Sequence, residues 1–238
     1  MSTIGVITNL LLPPTCCLCG APGLEAGFDL CRVCLALLPC TADTPEPVLP
    51  HVRHVLVPFH YAYPIDHFIR ALKFRGERVY ARVLGVLLAR ACLASRRPLP
   101  DVLVPIPLHP ARYRRRGFNQ AWEIARFAAA RLDLPIEHRA LARVIPTREQ
   151  SGLSLLERRR NIRGAFRVDR VVAARRVALV DDVLTSGSTA SEAASALRTA
   201  GVAEIELWAA ARVPLRPPFD YRPAVERARQ SHASREAR

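Results

Sequence analysis

Lysine is almost absent from this chain of 238 residues, since Lys73 is the only one. The 35 basic residues are therefore nearly all arginine, and they outnumber the 21 acidic residues to give a formal net charge of +14. Such a balance favours polyanionic partners, namely nucleic acid, phosphorylated metabolites or an anionic membrane surface. A general bias towards arginine explains the same composition, so charge alone does not choose a partner.

The chain also lacks long hydrophobic runs. No run reaches the roughly 18 apolar residues that a membrane-spanning helix requires. The apolar stretch at residues 4–12 follows no basic residue and runs into Pro13 and Pro14, which is unlike a secretory signal. We therefore expect no membrane span and a cytoplasmic protein, in which cysteines are thiols or metal ligands rather than disulfides.

Two common phosphate-binding motifs are missing, because the sequence contains neither a Walker A loop nor a GxGxxG pattern. Residues 177–189, reading VALVDDVLTSGST, take their place. The apolar run at 177–180 predicts a buried strand, Asp181 and Asp182 follow it, and an alanine-rich helix begins near residue 189. Small and hydroxylated residues fill the loop between them: Thr185, Ser186, Gly187, Ser188 and Thr189.

This strand–loop–helix segment combines two kinds of ligand group. Backbone N–H groups of a glycine-containing loop and of a helix N-terminus bind phosphate, and hydroxyl groups add donors. Asp181 and Asp182 suit sugar hydroxyls, either directly or through a hydrated Mg²⁺ ion. Thr189 and Glu192 have the spacing of a capping box, which predicts a helix start. A phosphorylated sugar needs both groups, whereas an ordinary capped helix needs only the polar loop.

The cysteines form a second constellation. Four of the seven lie in two CxxC pairs eleven residues apart: Cys16, Cys19, Cys31 and Cys34. Two such pairs can hold one zinc ion in a tetrahedron of four thiolates, which leaves no open position for catalysis. We therefore predict a structural zinc site, with a redox-active or incidental cysteine cluster as the alternative. Cys17 and Cys40 are further thiols in the same region.

Composition divides the chain into three parts. Residues 1–50 form a zinc-finger-like region that ends in a proline-rich linker. Residues 51–213 alternate predicted strands and helices, which is typical of an α/β domain with a parallel sheet flanked by helices. Its first strand or hairpin is predicted within residues 53–63. Residues 214–238 are rich in proline and charge without periodicity, so we predict a disordered tail.

The segment VALVDDVLTSGST closely resembles the phosphoribosyl-pyrophosphate (PRPP) motif of type I phosphoribosyltransferases. Further blocks occur in the order of the ComF family of competence-associated proteins: the paired CxxC motifs, KFRG at 73–76, PIPLHPARYRRRGFNQ at 105–120 and TREQSGLSLLERRRNIRGAF at 147–166. Together they cover residues 10–213. Ser186 is a mild departure, because the family commonly has threonine there. The chain is thus similar to ComF proteins over most of its length.

The resemblance implies a type I phosphoribosyltransferase-like sheet and a PRPP site with Mg²⁺. By this similarity PRPP binds at Asp181, Asp182 and the loop 185–189. Residues implied near the pyrophosphate or in the flexible loop that closes over PRPP are Lys73, Arg112, Arg114, Arg115, Arg116, Gln150 and Arg158. Lys73 also suits the C-terminus of its predicted helix, and the arginines also suit a solvated turn or a nucleic-acid surface.

Two functions follow from the resemblance. One is a phosphoribosyltransferase that releases pyrophosphate, with an acceptor that the sequence does not define. The other is a non-catalytic single-stranded DNA-binding or adaptor protein. Both are linked to DNA uptake in natural transformation, where the family implies a helicase-like ATPase as partner.

Overall fold

The computed structural model describes residues 15–25, 27–41, 44–146, 162–214 and 222–236. Its helices are α1 (Arg32–Ala36), α2 (Ile65–Arg75), α3 (Val79–Ala94), α4 (Pro110–Arg116), α5 (Gln120–Leu132), α6 (Ser188–Thr199) and α7 (Arg222–Glu236). Its strands are β1 (His54–Leu56), β2 (Phe59–His60), β3 (Val102–Pro105), β4 (Leu141–Arg143), β5 (Phe166–Val168), β6 (Arg176–Leu184) and β7 (Glu204–Arg212).

The main sheet is parallel throughout, in the order β1-β7-β6-β3, with β2 also pairing with β7. Strands β4 and β5 form a separate antiparallel pair. The prediction of an α/β fold with a parallel sheet flanked by helices is confirmed. Of the two alternatives for residues 53–63, strand structure is confirmed and a hairpin is wrong, because β1 and β2 both run parallel to β7 and follow one another along the same edge.

Helices cover both faces of the sheet. On one face α2, α3 and α5 share an apolar core with the cysteine region, and on the other α6 packs with β4 and β5. Helices α3 and α5 lie close together at Gly85, where a Cβ atom would come within 2.5 Å of the Ile124 carbonyl oxygen. A larger side chain would therefore separate the two helices.

The proline-rich linker runs along the outer edge of β1 and β2. The N–H of Val55 donates to the Glu46 carboxylate at 2.5 Å, and the N–H of His60 donates to the Pro39 carbonyl at 2.7 Å. The Thr41 N–H also donates to the Pro58 carbonyl at 2.9 Å. Because exposed edge strands tend to pair with other chains, these bonds protect the edge of the sheet.

Residues 222–236 form helix α7, which differs from the disordered tail predicted from residue 214 onward. Val225 is only 1% exposed and joins the core that contains the cysteine region. The guanidinium group of Arg229 donates to the Leu18 carbonyl between the first two predicted zinc ligands. Packing on another part of the chain stabilises this helix, and local sequence patterns do not report such packing.

In the described part of the chain, none of the helices combines the length and the apolar character needed to cross a membrane.

Candidate functional site

The segment 177–189 forms the predicted strand, loop and helix start, with two differences. Strand β6 continues through Asp181 and Asp182 to Leu184, because its pairing with β7 extends to that residue. Helix α6 begins at Ser188, with Gly187 in a left-handed conformation at the N-cap and no side-chain cap. The predicted capping box is therefore wrong. The Glu192 carboxylate instead accepts a hydrogen bond from the Gly164 N–H at 2.6 Å.

Gly187 is required at the turn between β6 and α6. Its φ angle of 75° lies in the region that disfavours residues with a side chain. A Cβ atom at this position would also lie 2.3 Å from Cδ2 of Leu49 in the linker. The loop therefore passes close to the linker, and alanine at this position would displace the Leu49 side chain as well as strain the backbone.

A cavity of about 270 Å³ lies at the carboxyl end of β6, where ligands bind in open parallel α/β sheets. It brings together eight of the residues predicted from the sequence: Lys73, Arg112, Arg116, Asp181, Asp182, Thr185, Gly187 and Thr189. They come from α2, α4, β6, the loop after β6 and the start of α6. The cavity thus combines an acid pair, cationic side chains and a glycine-containing loop at a helix N-terminus.

Other predicted residues lie elsewhere. Ser186 and Ser188 line a neighbouring cavity of about 400 Å³ together with Leu49, and their hydroxyl oxygens are 2.9 Å apart. Arg114 and Arg115 are exposed on α4 and are not among the residues that line the first cavity. Gln150 and Arg158 lie outside the described residues. Successive residues of the loop 185–189 therefore line the two cavities alternately.

The acid pair has an asymmetric environment. The ammonium group of Lys73 forms an ion pair with Asp182, and Gln120 Nε2 donates to the same carboxylate at 3.2 Å. Burial opposes ionisation of Asp182, but Lys73 and Gln120 outweigh it, so the pKa of Asp182 is lowered. Burial and the adjacent Asp182 charge raise the pKa of Asp181 to about 8. The environment therefore favours the ionised form of Asp182 and the protonated form of Asp181.

Sequence reasoning missed two polar residues of the cavity, Gln120 and Arg143. Arg143 is buried on β4, and its guanidinium carbon lies 5.5 Å from the centre of the Phe166 ring. Burial and the nearby Arg112 charge lower the pKa of Arg143 to about 10. Residues 141–145, reading LARVI, predict a short strand, and the arginine within this apolar stretch is the signal that could have identified it. Gln120 is the last residue of the block 105–120 and the first residue of α5. At this position its side chain reaches the Asp182 carboxylate.

The four predicted zinc ligands come together as expected. The Sγ atoms of Cys16, Cys19, Cys31 and Cys34 all lie within 4.8 Å of one another, and those of Cys19 and Cys31 are 3.6 Å apart. Tetrahedral zinc with bonds of about 2.3 Å to sulfur needs sulfur atoms about 3.8 Å apart. These cysteines can therefore bind one zinc ion. Cys17 and Cys40 do not belong to the cluster.

The cysteine cluster is attached firmly to the α/β domain. Asp29, which is buried, accepts two hydrogen bonds from the Arg82 guanidinium on α3, at 2.7 and 2.8 Å. Arg90 of α3 and Arg131 of α5 both form ion pairs with Glu25, at 3.4 and 3.2 Å. A metal ion in this cluster would thus stabilise a region that packs directly on the main core.

Comparison with known proteins identifies relatives over most of the chain, although no family model matches it. The chain is 38% identical to Competence protein F of Haemophilus influenzae, over 64% of this chain and 70% of the relative. It is 33% identical to the DNA utilization protein YhgH of Salmonella typhi and 31% identical to that of Escherichia coli K12. Each of these matches covers 85% of this chain and 99% of the relative.

Among solved structures, a purine phosphoribosyltransferase from Pyrococcus horikoshii matches 58% of this chain and 76% of its own, with 15% identity and a TM-score of 0.34. A TM-score this low does not by itself establish a shared fold. The sequence relatives are decisive, because they exceed 30% identity and are covered over 70% to 99% of their length. The chain therefore belongs to the ComF family, together with Competence protein F and the YhgH proteins.

Proposed function

We propose that the cavity at the end of β6 binds PRPP with Mg²⁺ and that the protein acts in the use of DNA taken up during natural transformation. One observation carries the proposal: an acid pair, cationic side chains and a helix N-terminus surround a single cavity. PRPP combines sugar hydroxyls, a phosphate and a pyrophosphate, so it uses all three features. The names of the relatives, which refer to competence and DNA utilization, support the proposed role in the use of DNA.

Each part of PRPP has a complementary part of the cavity. The 5-phosphate binds at Thr185, Gly187 and Thr189, where backbone N–H groups and the helix N-terminus favour an anion. The ribose hydroxyls lie at Asp181 and Asp182. Both carboxylates also suit Mg²⁺, and bound Mg²⁺ supplies positive charge to the pyrophosphate oxygens. A cation beside Asp181 favours its ionised form, which offsets the cost of burying two adjacent charges.

The arginines of the cavity complete the site. Arg112, Arg116 and Arg143 line the cavity, and guanidinium groups bind phosphate oxygens with two parallel hydrogen bonds. In a transfer reaction the bond from the anomeric carbon to pyrophosphate breaks, and pyrophosphate leaves with the electron pair. A bond from the acceptor forms at the same carbon, and the proton of the acceptor passes to solvent. These arginines stabilise the departing charge through positions set before the reaction.

A second function is a nucleic-acid-binding or adaptor role without catalysis. Arg114 and Arg115 favour it, because both are exposed on α4 outside the cavity and can contact phosphodiester groups of a single strand. A helicase-like ATPase of the transformation machinery is the protein partner that the ComF resemblance implies. The two functions are compatible, since PRPP bound inside the cavity would not cover Arg114 and Arg115, which do not line it.

Thermal unfolding tests the proposed PRPP site. A ligand that binds only the folded state raises the melting temperature, so PRPP with Mg²⁺ should do so in the wild type. The double variant Asp181→Asn, Asp182→Asn should lose the shift. Arg114→Ala with Arg115→Ala is the matched control, and it should keep the shift because neither residue lines the cavity. The absence of any shift at millimolar PRPP would refute the proposal.

Salt-dependent binding tests the second function. Affinity for single-stranded DNA should fall linearly with the logarithm of salt concentration, with a slope set by the number of phosphates contacted. Arg114→Ala with Arg115→Ala should reduce that slope, whereas the double Asn variant should leave it unchanged. No binding at low salt would exclude this function.

A further inference from the structure

Phe74 places an apolar ring at the mouth of the charged cavity. It lines the cavity beside Lys73, yet it remains 75% exposed, more than any other aromatic side chain in the described residues. Arg112 and Arg116 line the same cavity. The ring thus lies at the opening, where it can contact both solvent and a bound ligand.

The core formed by the described residues does not include this ring. The buried face of α2 consists of Ile65, Phe68, Ile69, Ala71 and Leu72. Phe74 lies outside this face and belongs to neither hydrophobic core. Burying a phenylalanine side chain is favourable, and at 75% exposure most of this contribution is not made by the described residues. A ligand that covers the ring would obtain it.

Phosphate and sugar groups do not use an aromatic surface, whereas a nucleobase does. Bases stack on aromatic side chains, and cationic side chains hold the attached phosphates. We propose that Phe74 is the stacking residue of a nucleobase site at the mouth of the cavity. The inference rests on the proposed PRPP site only for the direction in which the base extends, away from the phosphate loop. The base can belong to a free nucleotide or to a single strand.

Two pairs of probes isolate the contribution of the base. AMP is compared with ribose 5-phosphate, and a twelve-residue oligo(dA) is compared with an abasic strand of the same length. By calorimetry, Phe74→Ala should weaken binding of a base-bearing probe by about 5-fold to 150-fold and leave the baseless probes within about twofold. Phe74→Trp should retain the affinity, and Phe74→Leu should not. A loss seen with AMP assigns a free nucleotide, and a loss confined to oligo(dA) assigns a strand.

The matched control is Tyr113→Ala, which removes an exposed aromatic ring on α4 that does not line the cavity. It should leave all four affinities unchanged. The inference is overturned if Phe74→Ala has no effect, if it weakens base-bearing and baseless probes equally, or if leucine serves as well as phenylalanine. A wild type that fails to bind PRPP but binds a base-bearing probe through Phe74 would refute the PRPP proposal alone. If PRPP binds normally but the base-bearing probes bind no more tightly than the baseless ones, this inference alone is refuted.

Discussion

The ammonium group of Lys73 pairs with the carboxylate of Asp182 inside the cavity. The single lysine of the chain thus provides the opposite charge for the more buried carboxylate of the acid pair. The side chains are 23% and 5% exposed, respectively. A buried charge without its partner is costly, because the low dielectric of the interior does not solvate it. The pair therefore connects the C-terminal end of α2 to the end of β6, across the proposed ligand site.

Lys73→Met should lower the free energy of unfolding by about 3–5 kcal/mol at pH 8, because it leaves Asp182 buried without its cation. The loss should be smaller at pH 5, where the unpaired carboxyl can take up a proton. Urea unfolding at both pH values measures the effect. Arg53→Met is the control: Arg53 pairs with Glu204 at 3.0 Å near the surface, and its loss should cost no more than about 1 kcal/mol. Equal effects of the two substitutions would contradict a special role for Lys73.

Asp181 should make the free protein less stable as pH rises. Its pKa is raised to about 8 in the folded chain by burial and by Asp182, whereas an unfolded aspartate titrates near pH 4. Between these values the folded state binds more protons, so the free energy of unfolding decreases with pH. Asp181→Asn should reduce this decrease between pH 5.5 and 8. Asp182 does not confound the measurement, because its lowered pKa affects stability only at more acidic pH.

A slope between pH 5.5 and 8 that is unchanged in Asp181→Asn would contradict the raised pKa. Ligand binding offers an independent check. Mg²⁺ binding requires the ionised carboxylate, so the affinity for PRPP with Mg²⁺ should increase as pH rises towards 8. His54→Gln is the control, since His54 lies on β1 beside Glu46 and does not line the cavity, and it should leave the pH dependence of PRPP affinity unchanged.

Cys34→Ser should abolish zinc binding and lower the melting temperature, because it removes one of the four predicted ligands, and a zinc-binding region of this kind depends on the metal for part of its folding energy. Cys40→Ser is the control, since Cys40 is exposed and lies outside the cluster. Metal analysis should find one zinc per chain in the wild type and in Cys40→Ser. Much less than one zinc in the purified wild type would contradict the prediction.

Val225→Ala should release helix α7 from the cysteine region. Val225 is almost fully buried, and loss of its packing should cost about 1–3 kcal/mol. Limited proteolysis should then cleave residues 222–236 faster than in the wild type. Glu226→Ala changes the adjacent residue, whose side chain is 60% exposed, and should leave the cleavage rate unchanged. Equal cleavage of both variants would show that α7 is not held by this contact.

Local patterns were sufficient for most helices. Apolar residues recur at helical spacing within 65–74, at Ile65, Phe68, Ile69 and Leu72, which predicts a helix there, and residues 119–132 predict another. The structure has them at Ile65–Arg75 and Gln120–Leu132. These ends are set by residues close in sequence, such as Gly76 in its left-handed conformation after α2 and Asn119 at the N-cap of α5. Periodicity and capping act within a few turns, so one sequence is enough to detect them.

Long-range pairing and packing explain what the patterns missed. Strand β6 extends to Leu184 because β7 pairs with it there, and α7 is ordered on the cysteine region through Val225. Arg143 reaches the cavity because β4 pairs with β5, more than twenty residues later in the chain. The residues next to each of these contacts in sequence show no pattern that predicts it.

The sequence by itself determined the chemical groups available to this protein. The CxxC spacing predicted the four-cysteine cluster, and the order of acid pair, small loop and helix predicted a ligand site at a strand end. Only the tertiary structure decided which side chains share that site. Thr185, Gly187 and Thr189 line the cavity, whereas Ser186 and Ser188 line the one beside it. Spacing along the chain limits which residues can meet, but side-chain direction and burial are set by the surfaces that distant segments bring together.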